Sequence, residues 1–143
     1  MIRSMRITTV KWEDLLARHF QFGGRGDGPL DCAGVAEVII ERAGLAVPGK
    51  ASLPIYAGPR TAPAALDKYL STQAAKWQEI DRAQEVGDIV TSDPDNAGRP
   101  THVSVVVDIS PMTFLSATRG FGVTASERVK NPCHAYRLKE AIR

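Results

Sequence analysis

The sequence changes abruptly from a turn-forming stretch to a helical one between residues 23 and 40. The first seven of these residues read GGRGDGP, and glycine, aspartate and proline are the residues that tight turns require. From Val35 onward, apolar residues recur at the spacing of one helix face, and Gly44 is positioned to end the helix. Asp31 can serve as the N-cap, so we predict a helix that begins at about Cys32.

The predicted position of Cys32 allows two interpretations. A thiol in the first turn of a helix lies near unpaired backbone N–H groups and the positive end of the helix dipole, and both favour the thiolate. Cysteine nucleophiles occur in this setting. Cysteine is also among the most frequently buried residue types, so an inert core thiol is the alternative.

Length and composition indicate one ordinary globular domain. The chain has 143 residues, of which 43% are hydrophobic and 24% are charged, and we expect residues 1–143 to form a single domain. No apolar run approaches the roughly 18 residues that a membrane span needs. Residues 12–14 are Trp, Glu and Asp, and they interrupt any N-terminal signal segment. We therefore expect a protein made in the cytoplasm, with no signal peptide and no membrane span.

Charge and metal-ligand patterns exclude several function classes. The net charge is only +2, and no block of basic residues is present, which argues against a nucleic-acid partner. Cys32 and Cys133 are too widely separated to indicate a disulfide framework. The three histidines lack the spacing typical of a zinc site. We expect neither a metal nor an organic cofactor.

Helical patterns precede strand patterns along the chain. Predicted helices cover residues 10–20, with Thr9 as the cap, and residues 61–75, and the helix at Cys32 lies between them. From Trp77 the period becomes two. Short strands are then predicted in five places: Val86–Val90, His102–Asp108, Thr113–Ala117, Phe121–Thr124 and Ala135–Leu138. Helices followed by short strands predict an α+β fold, with N-terminal helices packed on a central antiparallel sheet.

His102 opens the most regular strand pattern and follows Cys32 by about seventy residues. A thiol at a helix start and an imidazole at a later strand start form the chain order of papain-like cysteine hydrolases. In such a site the imidazole accepts the thiol proton, and the helix N–H groups stabilise the developing oxyanion. A half-exposed histidine with no catalytic role is the alternative interpretation.

Five motifs, in order, resemble those of the NlpC-type cysteine peptidases, compact papain-like enzymes that cut the peptide stems of the bacterial cell wall. The motifs are FQFGG (20–24), DCAG (31–34), GDIV (87–90), THVSV (101–105) and FLSATR (114–119). The glycine-rich loop together with LPIY (53–56) is most like the phage-tail branch, whose small domains are carried in virions or gene-transfer particles. The resemblance covers roughly residues 10–128. It implies a papain-like NlpC-type fold, thiol protease activity and a place in a phage-like tail particle.

The resemblance assigns three catalytic positions. Cys32 would be the nucleophile, His102 the general base, and Ser116 falls at the third position, which is usually histidine in the family. A serine hydroxyl can accept a hydrogen bond from a ring N–H, but it is shorter and uncharged. A strand serine with no role is the alternative. Asp108 is a second candidate acid, although its place just before Ser110 and Pro111 is typical of a turn.

Four further positions are assigned to substrate binding: Phe20, Asp31, Ala33 and Arg119. Many family members carry tyrosine in place of Phe20 and serine in place of Ala33, so each of these residues removes a polar contact. Asp31 is also interpreted as the helix cap. Arg119 could face an acidic group of the substrate or lie in a solvated turn.

These assignments predict a cysteine endopeptidase or amidase that cleaves amide bonds in peptidoglycan stem peptides, with phage-tail proteins as candidate partners. Acyl transfer to an amine or alcohol by the same pair is an alternative that sequence does not separate from hydrolysis. The departures at Phe20, Ala33 and Ser116 favour a further alternative, a non-catalytic tail, assembly or wall-binding protein that keeps the peptidase fold.

Overall fold

The computed structural model describes residues 8–19, 32–45, 77–96, 102–118 and 120–138. These residues form a short 3-10 helix (Glu13–Ala17), one α-helix, α1 (Cys32–Arg42), and six strands. The strands are β1 (Trp77–Ile80), β2 (Ile89–Ser92), β3 (His102–Ile109), β4 (Met112–Thr118), β5 (Gly122–Ser126) and β6 (Pro132–Leu138). They make one sheet in the order β1-β6-β2-β3-β4-β5, and every neighbouring pair is antiparallel. The predicted α+β class is therefore confirmed.

Alternating side chains along β3 divide the sheet into two faces. Val103, Val105 and Val107 are fully buried in the hydrophobic cluster that α1 shares. Because successive side chains of a strand point to opposite faces, His102 and Ser104 lie on the other face. We call these the helix face and the open face.

The helix face is the core of the molecule. Val35, Ile39 and Ile40 of α1 are fully buried together with Leu115 of β4 and Tyr136 of β6. Burial of an aliphatic side chain of this size contributes about 1.5–3 kcal/mol, so this single layer of helix on sheet holds the strands in place. No helix in the part of the chain that the structure covers is long and apolar enough to span a membrane.

The end of α1 matches the predicted glycine stop. Gly44 has a φ of 72°, in the left-handed region that glycine adopts readily. Its N–H donates to the carbonyl of Glu41 at 3.0 Å, and the N–H of Leu45 donates to that of Ile40 at 3.1 Å. These two bonds form a Schellman motif. The proposed N-cap, Asp31, lies outside the described residues.

The segment before α1 differs from the prediction. In place of a helix over residues 10–20, the chain forms only the 3-10 helix Glu13–Ala17, and Thr9 is not its cap. Thr9 instead bridges to Asp108 of β3, and the N–H of Val10 donates to the carbonyl of Val107 at 3.2 Å. Pairing with β3 draws this backbone away from helical geometry. The predicted helix over residues 61–75 lies outside the described residues.

The strand predictions are confirmed with shifted bounds, except at the start of β2. The predicted strand at residues 86–90 begins only at Ile89, because Gly87 has a φ of 94° and the N–H of Asp88 donates back to the carbonyl of Glu85 at 3.0 Å. That backbone is a turn. A β-carbon at Gly87 would also collide with the side chain of Leu45, so glycine is required here.

A buried ion pair joins the turn before β2 to β6. Asp88 has no exposed surface, and its two carboxylate oxygens accept hydrogen bonds from Nε and Nη2 of Arg137 at 2.8 and 2.7 Å. The backbone N–H groups of Gln84 and Glu85 donate to the same carboxylate, each at 2.9 Å. Asp88 raises the pKa of Arg137 through these hydrogen bonds. A fully buried carboxylate is tolerated because its acceptor positions are used.

The connection from β5 to β6 comprises residues 127–131. It joins the edge strand β5 to a strand that lies between β1 and β2. Its end is fixed to the end of β2, because Nδ2 of Asn131 donates to the carbonyl of Asp93 at 2.8 Å, and the N–H of Asp93 donates back to the carbonyl of Asn131 at 3.0 Å. Asn131 has a φ of 52°, a left-handed conformation that asparagine tolerates.

Candidate functional site

Cys32 is the first residue of α1, as predicted. Its side chain is only 4% exposed and belongs to the hydrophobic cluster of the helix face. Ala33, the next residue, has no exposed surface and packs in the same cluster. The structure thus places both residues at the start of a helix of 11 residues, where the backbone N–H groups and the helix dipole favour a negative charge.

His102 is the first residue of β3, and its Cα partner in β2 is Ser92. The residue is half-buried, and burial lowers the pKa of its imidazole to about 4, with the negative charge of Asp95 acting in the opposite direction. The ring is therefore neutral at physiological pH. A neutral imidazole has a lone pair that can accept a proton, but a pKa of about 4 makes this ring a weaker base than an ordinary histidine.

His102 and Ser116 line one groove on the open face. This His102 groove has a volume of about 200 Å³, and other residues that line it include Ser92, Ser104, Thr118, Arg128 and Lys130. Ser116 and Thr118 are two residues apart on β4, so they share a face of that strand. The structure therefore brings together two of the three predicted catalytic residues. Cys32 is not among the described residues that line the groove.

A larger groove lies beside β6. This β6 groove has a volume of about 650 Å³ and an apolar floor that includes Val90, Phe114 and Ala135. Arg128 and Val129 of the β5–β6 connection line both grooves. The two grooves are therefore neighbours along this connection.

Asp108 has the turn role that its sequence position indicates. Its Oδ1 accepts the backbone N–H of Ser110 at 3.0 Å, and its Oδ2 accepts the hydroxyl of Thr9 at 3.2 Å. Asp108 is six positions along β3 from His102, about 20 Å in an extended strand. Asp108 does not orient the His102 ring.

Other predicted residues and ligand types can be placed only in part. Phe20, Asp31 and Arg119 lie outside the described residues. Neither Cys32, which is buried, nor Cys133, which is exposed, forms a disulfide bond. Within the described ranges, no group of three His, Cys, Asp or Glu side chains could hold a metal ion.

Several groove residues were not predicted from the sequence. Ser104 could have been found, because it follows His102 by two residues and so shares its face of the strand. Arg128 and Lys130 carry no such signal, since they lie in a turn whose position depends on where β6 pairs.

In comparisons with known proteins, no family model and no curated protein matched this chain.

Proposed function

We propose that this chain is a cysteine hydrolase that cleaves amide bonds in the peptide stems of peptidoglycan, with an NlpC-type papain-like fold. One observation carries the proposal. Cys32 begins α1, which packs on the helix face of β3 and β4, while His102 and Ser116 are carried by the same two strands on the open face. The proposed reaction therefore requires the thiol and the imidazole to meet around the end of β3, where His102 is the first residue. The order of these elements along the chain agrees with the five motifs of the resemblance.

In the proposed reaction, the thiol of Cys32 gives its proton to the neutral imidazole of His102 and attacks the amide carbonyl. The N–H groups at the start of α1 stabilise the oxyanion. The imidazolium then donates the proton to the leaving amine, and a thioester remains on Cys32. Water, deprotonated by His102, hydrolyses the thioester and regenerates the thiol. Ser116 would orient the ring of His102 by accepting a hydrogen bond from its N–H.

The setting of the proposed enzyme follows from the same resemblance. A domain of the phage-tail branch would act in a tail-like particle at the cell wall, with peptidoglycan as substrate and tail proteins as neighbours. The mild positive net charge of +2 is compatible with an anionic wall polymer.

The test is release of new amino groups from purified peptidoglycan fragments. Wild-type protein should release them, and Cys32→Ala should lower the rate by at least about 10³-fold because the nucleophile is lost. Cys133→Ala is the matched control, since Cys133 is an exposed thiol, and it should retain the wild-type rate. Turnover that persists in Cys32→Ala would exclude Cys32 as the nucleophile.

A second candidate function is supported by the burial of Cys32, which is only 4% exposed. A protein that keeps the fold but binds wall or a tail subunit without turnover needs the open-face grooves and not the thiol. Iodoacetamide labelling at neutral pH separates the two candidates. An activated Cys32 should react faster than Cys133 despite its lower exposure, whereas an inert core thiol should react more slowly.

A further inference from the structure

The β5–β6 connection places an arginine between the two grooves of the open face. Arg128 lines both the His102 groove and the β6 groove. Its backbone is held by the hydroxyl of Ser126, which donates to the carbonyl of Arg128 at 2.8 Å. Arg128 therefore lies where the two concave surfaces adjoin.

The described cationic side chains differ in whether they form an ion pair with a carboxylate. Arg42 is paired with Asp14, and Arg137 with Asp88 and Glu85. Within the described ranges, neither Arg128 nor Lys130 lies within ion-pair distance of a carboxylate.

The lining of the His102 groove has more positively charged than negatively charged residues. Its described lining includes Arg128 and Lys130 together with several hydroxyl groups and no Asp or Glu, while Asp95 lies near enough for its charge to act on His102. A guanidinium with hydroxyl donors nearby matches the geometry of a carboxylate, which it can bind through two parallel hydrogen bonds. The groove is thus complementary to a carboxylate ligand.

The β6 groove has a different character. Val90, Phe114 and Ala135 supply an apolar floor, and the charged residues Glu79, Asp81 and Arg82 also line the groove. The carboxylate of Glu79 lies 2.7 Å from Nδ1 of His134. The β6 groove, at about 650 Å³, is within the range of about 300–1,000 Å³ that ligand pockets occupy, and the His102 groove adds about 200 Å³ beside it. A ligand crossing from one groove to the other would pass Arg128.

We propose that Arg128 binds the side-chain carboxylate of an acidic peptide that lies along both grooves, with an apolar neighbouring residue seated on the floor of the β6 groove. This inference deepens the proposed function, because it names the class of peptide that reaches His102. It does not require turnover. Arg128 is a binding residue in this proposal.

The test measures binding without cleavage. The full-length Cys32→Ala protein is titrated at pH 7 with acetyl-Leu-Glu-Leu amide and with acetyl-Leu-Gln-Leu amide, and ¹H–¹⁵N NMR follows the shifts. The two probes have nearly the same shape and differ in one charge. We expect the glutamate peptide to bind about five- to tenfold more tightly, with shifts at groove residues that include His102.

Substitution of Arg128 should remove that preference. Arg128→Gln should bind both peptides equally, and Arg128→Lys should keep part of the preference because it keeps the charge but loses the planar fork. Lys11→Gln is the matched control, since it removes one exposed positive charge outside the grooves. The variants' circular dichroism and melting temperatures should match those of the parent.

Four results would overturn the proposal: no binding of either peptide at millimolar concentration, equal binding of the two peptides, shifts remote from both grooves, or the same loss in Lys11→Gln as in Arg128→Gln. Failure of the proposed hydrolase activity gives a different pattern. In that case wild-type protein releases no amines from peptidoglycan, while the preference that depends on Arg128 remains.

Discussion

The two faces of the sheet are built from the same strands but follow different rules. On the helix face, Val103, Val105 and Leu115 are fully buried against α1. Only side chains of similar volume could replace them there, because the core is closely packed. On the open face, His102 and Ser116 line a groove and are only partly buried. Val106 and Ser104, on the same face as His102, are also buried, so the two faces of β3 differ in their polar groups more than in their burial. Because one register of strand pairing sets both faces, the pairing that buries the helix-face side chains also fixes the positions of the polar groups on the open face.

The strongest exception to the contrast between an apolar helix face and a polar open face is Asp88, a polar residue with no exposed surface. Asp88→Ala removes the main partner of Arg137, which keeps only Glu85 at 3.2 Å, and leaves the N–H groups of Gln84 and Glu85 without their acceptor. We therefore expect a loss of about 3–5 kcal/mol in the free energy of unfolding. Urea denaturation measures this loss. A double variant, Asp88→Ala with Arg137→Met, should recover part of it. A loss below about 1 kcal/mol in the single variant would contradict the importance of this pair.

Adjacent positions on β4 give the most direct test of the two faces. Leu115→Ala opens a cavity on the helix face and should cost about 2–5 kcal/mol in the free energy of unfolding. Ser116→Ala, one residue along, should cost less than about 1 kcal/mol because its side chain lines the groove. Chemical denaturation of both variants provides the comparison. Equal losses would show that the open face is also packed core.

His102 should make stability depend on pH. Burial lowers its pKa from 6.5 to about 4, so the unfolded state takes up a proton before the folded state as the pH falls. The free energy of unfolding should therefore fall between pH 6.5 and 4, by no more than about 3–4 kcal/mol from this group. His102→Gln should lack this part of the pH dependence. Parallel pH curves for the two proteins would contradict the burial of the ring.

The smallest effect is expected at an exposed ion pair outside both faces. Asp14 accepts two hydrogen bonds from Arg42, each at 2.8 Å, and this bonding lowers the pKa of Asp14 to about 2. Because solvent screens the pair, Asp14→Asn should cost only about 0.2–1 kcal/mol above pH 4. The difference from wild type should shrink as the pH falls toward 2 and in high salt. Urea denaturation at two salt concentrations would detect it.

The local sequence pattern was sufficient to predict the helices and strands whose geometry is set by their own residues. The apolar spacing from Val35 and the glycine at position 44 predicted α1, and the alternation from His102 predicted β3. The same pattern reasoning failed at residues 10–20, because the pairing of Thr9 and Val10 with β3 is a contact about a hundred residues away along the chain. Helical spacing carries no information about such a partner.

The candidate site could be predicted only residue by residue. Sequence identified His102 and Ser116, and the pairing of β3 with β4 accounts for their shared groove. The contribution of Arg128 could not be predicted, because it depends on β6 returning across the sheet to pair between β1 and β2. Strand order is decided by long-range packing and is not encoded in any short motif.

The brevity of the β5–β6 connection has a consequence for the shape of the sheet. β5 and β6 are four positions apart in the strand order, which would be about 19 Å in a flat sheet. From Ser126 to Pro132 the chain has six Cα-to-Cα steps, with a fully stretched length of only about 20–22 Å. In a flat sheet the β5–β6 connection would therefore have to be almost fully stretched. Asn131 has a left-handed φ of 52°, so the connection is not fully stretched and spans less than this length. The sheet must therefore curl to bring β5 and β6 within reach, and removing one of residues 127–131 would draw these two strands closer together.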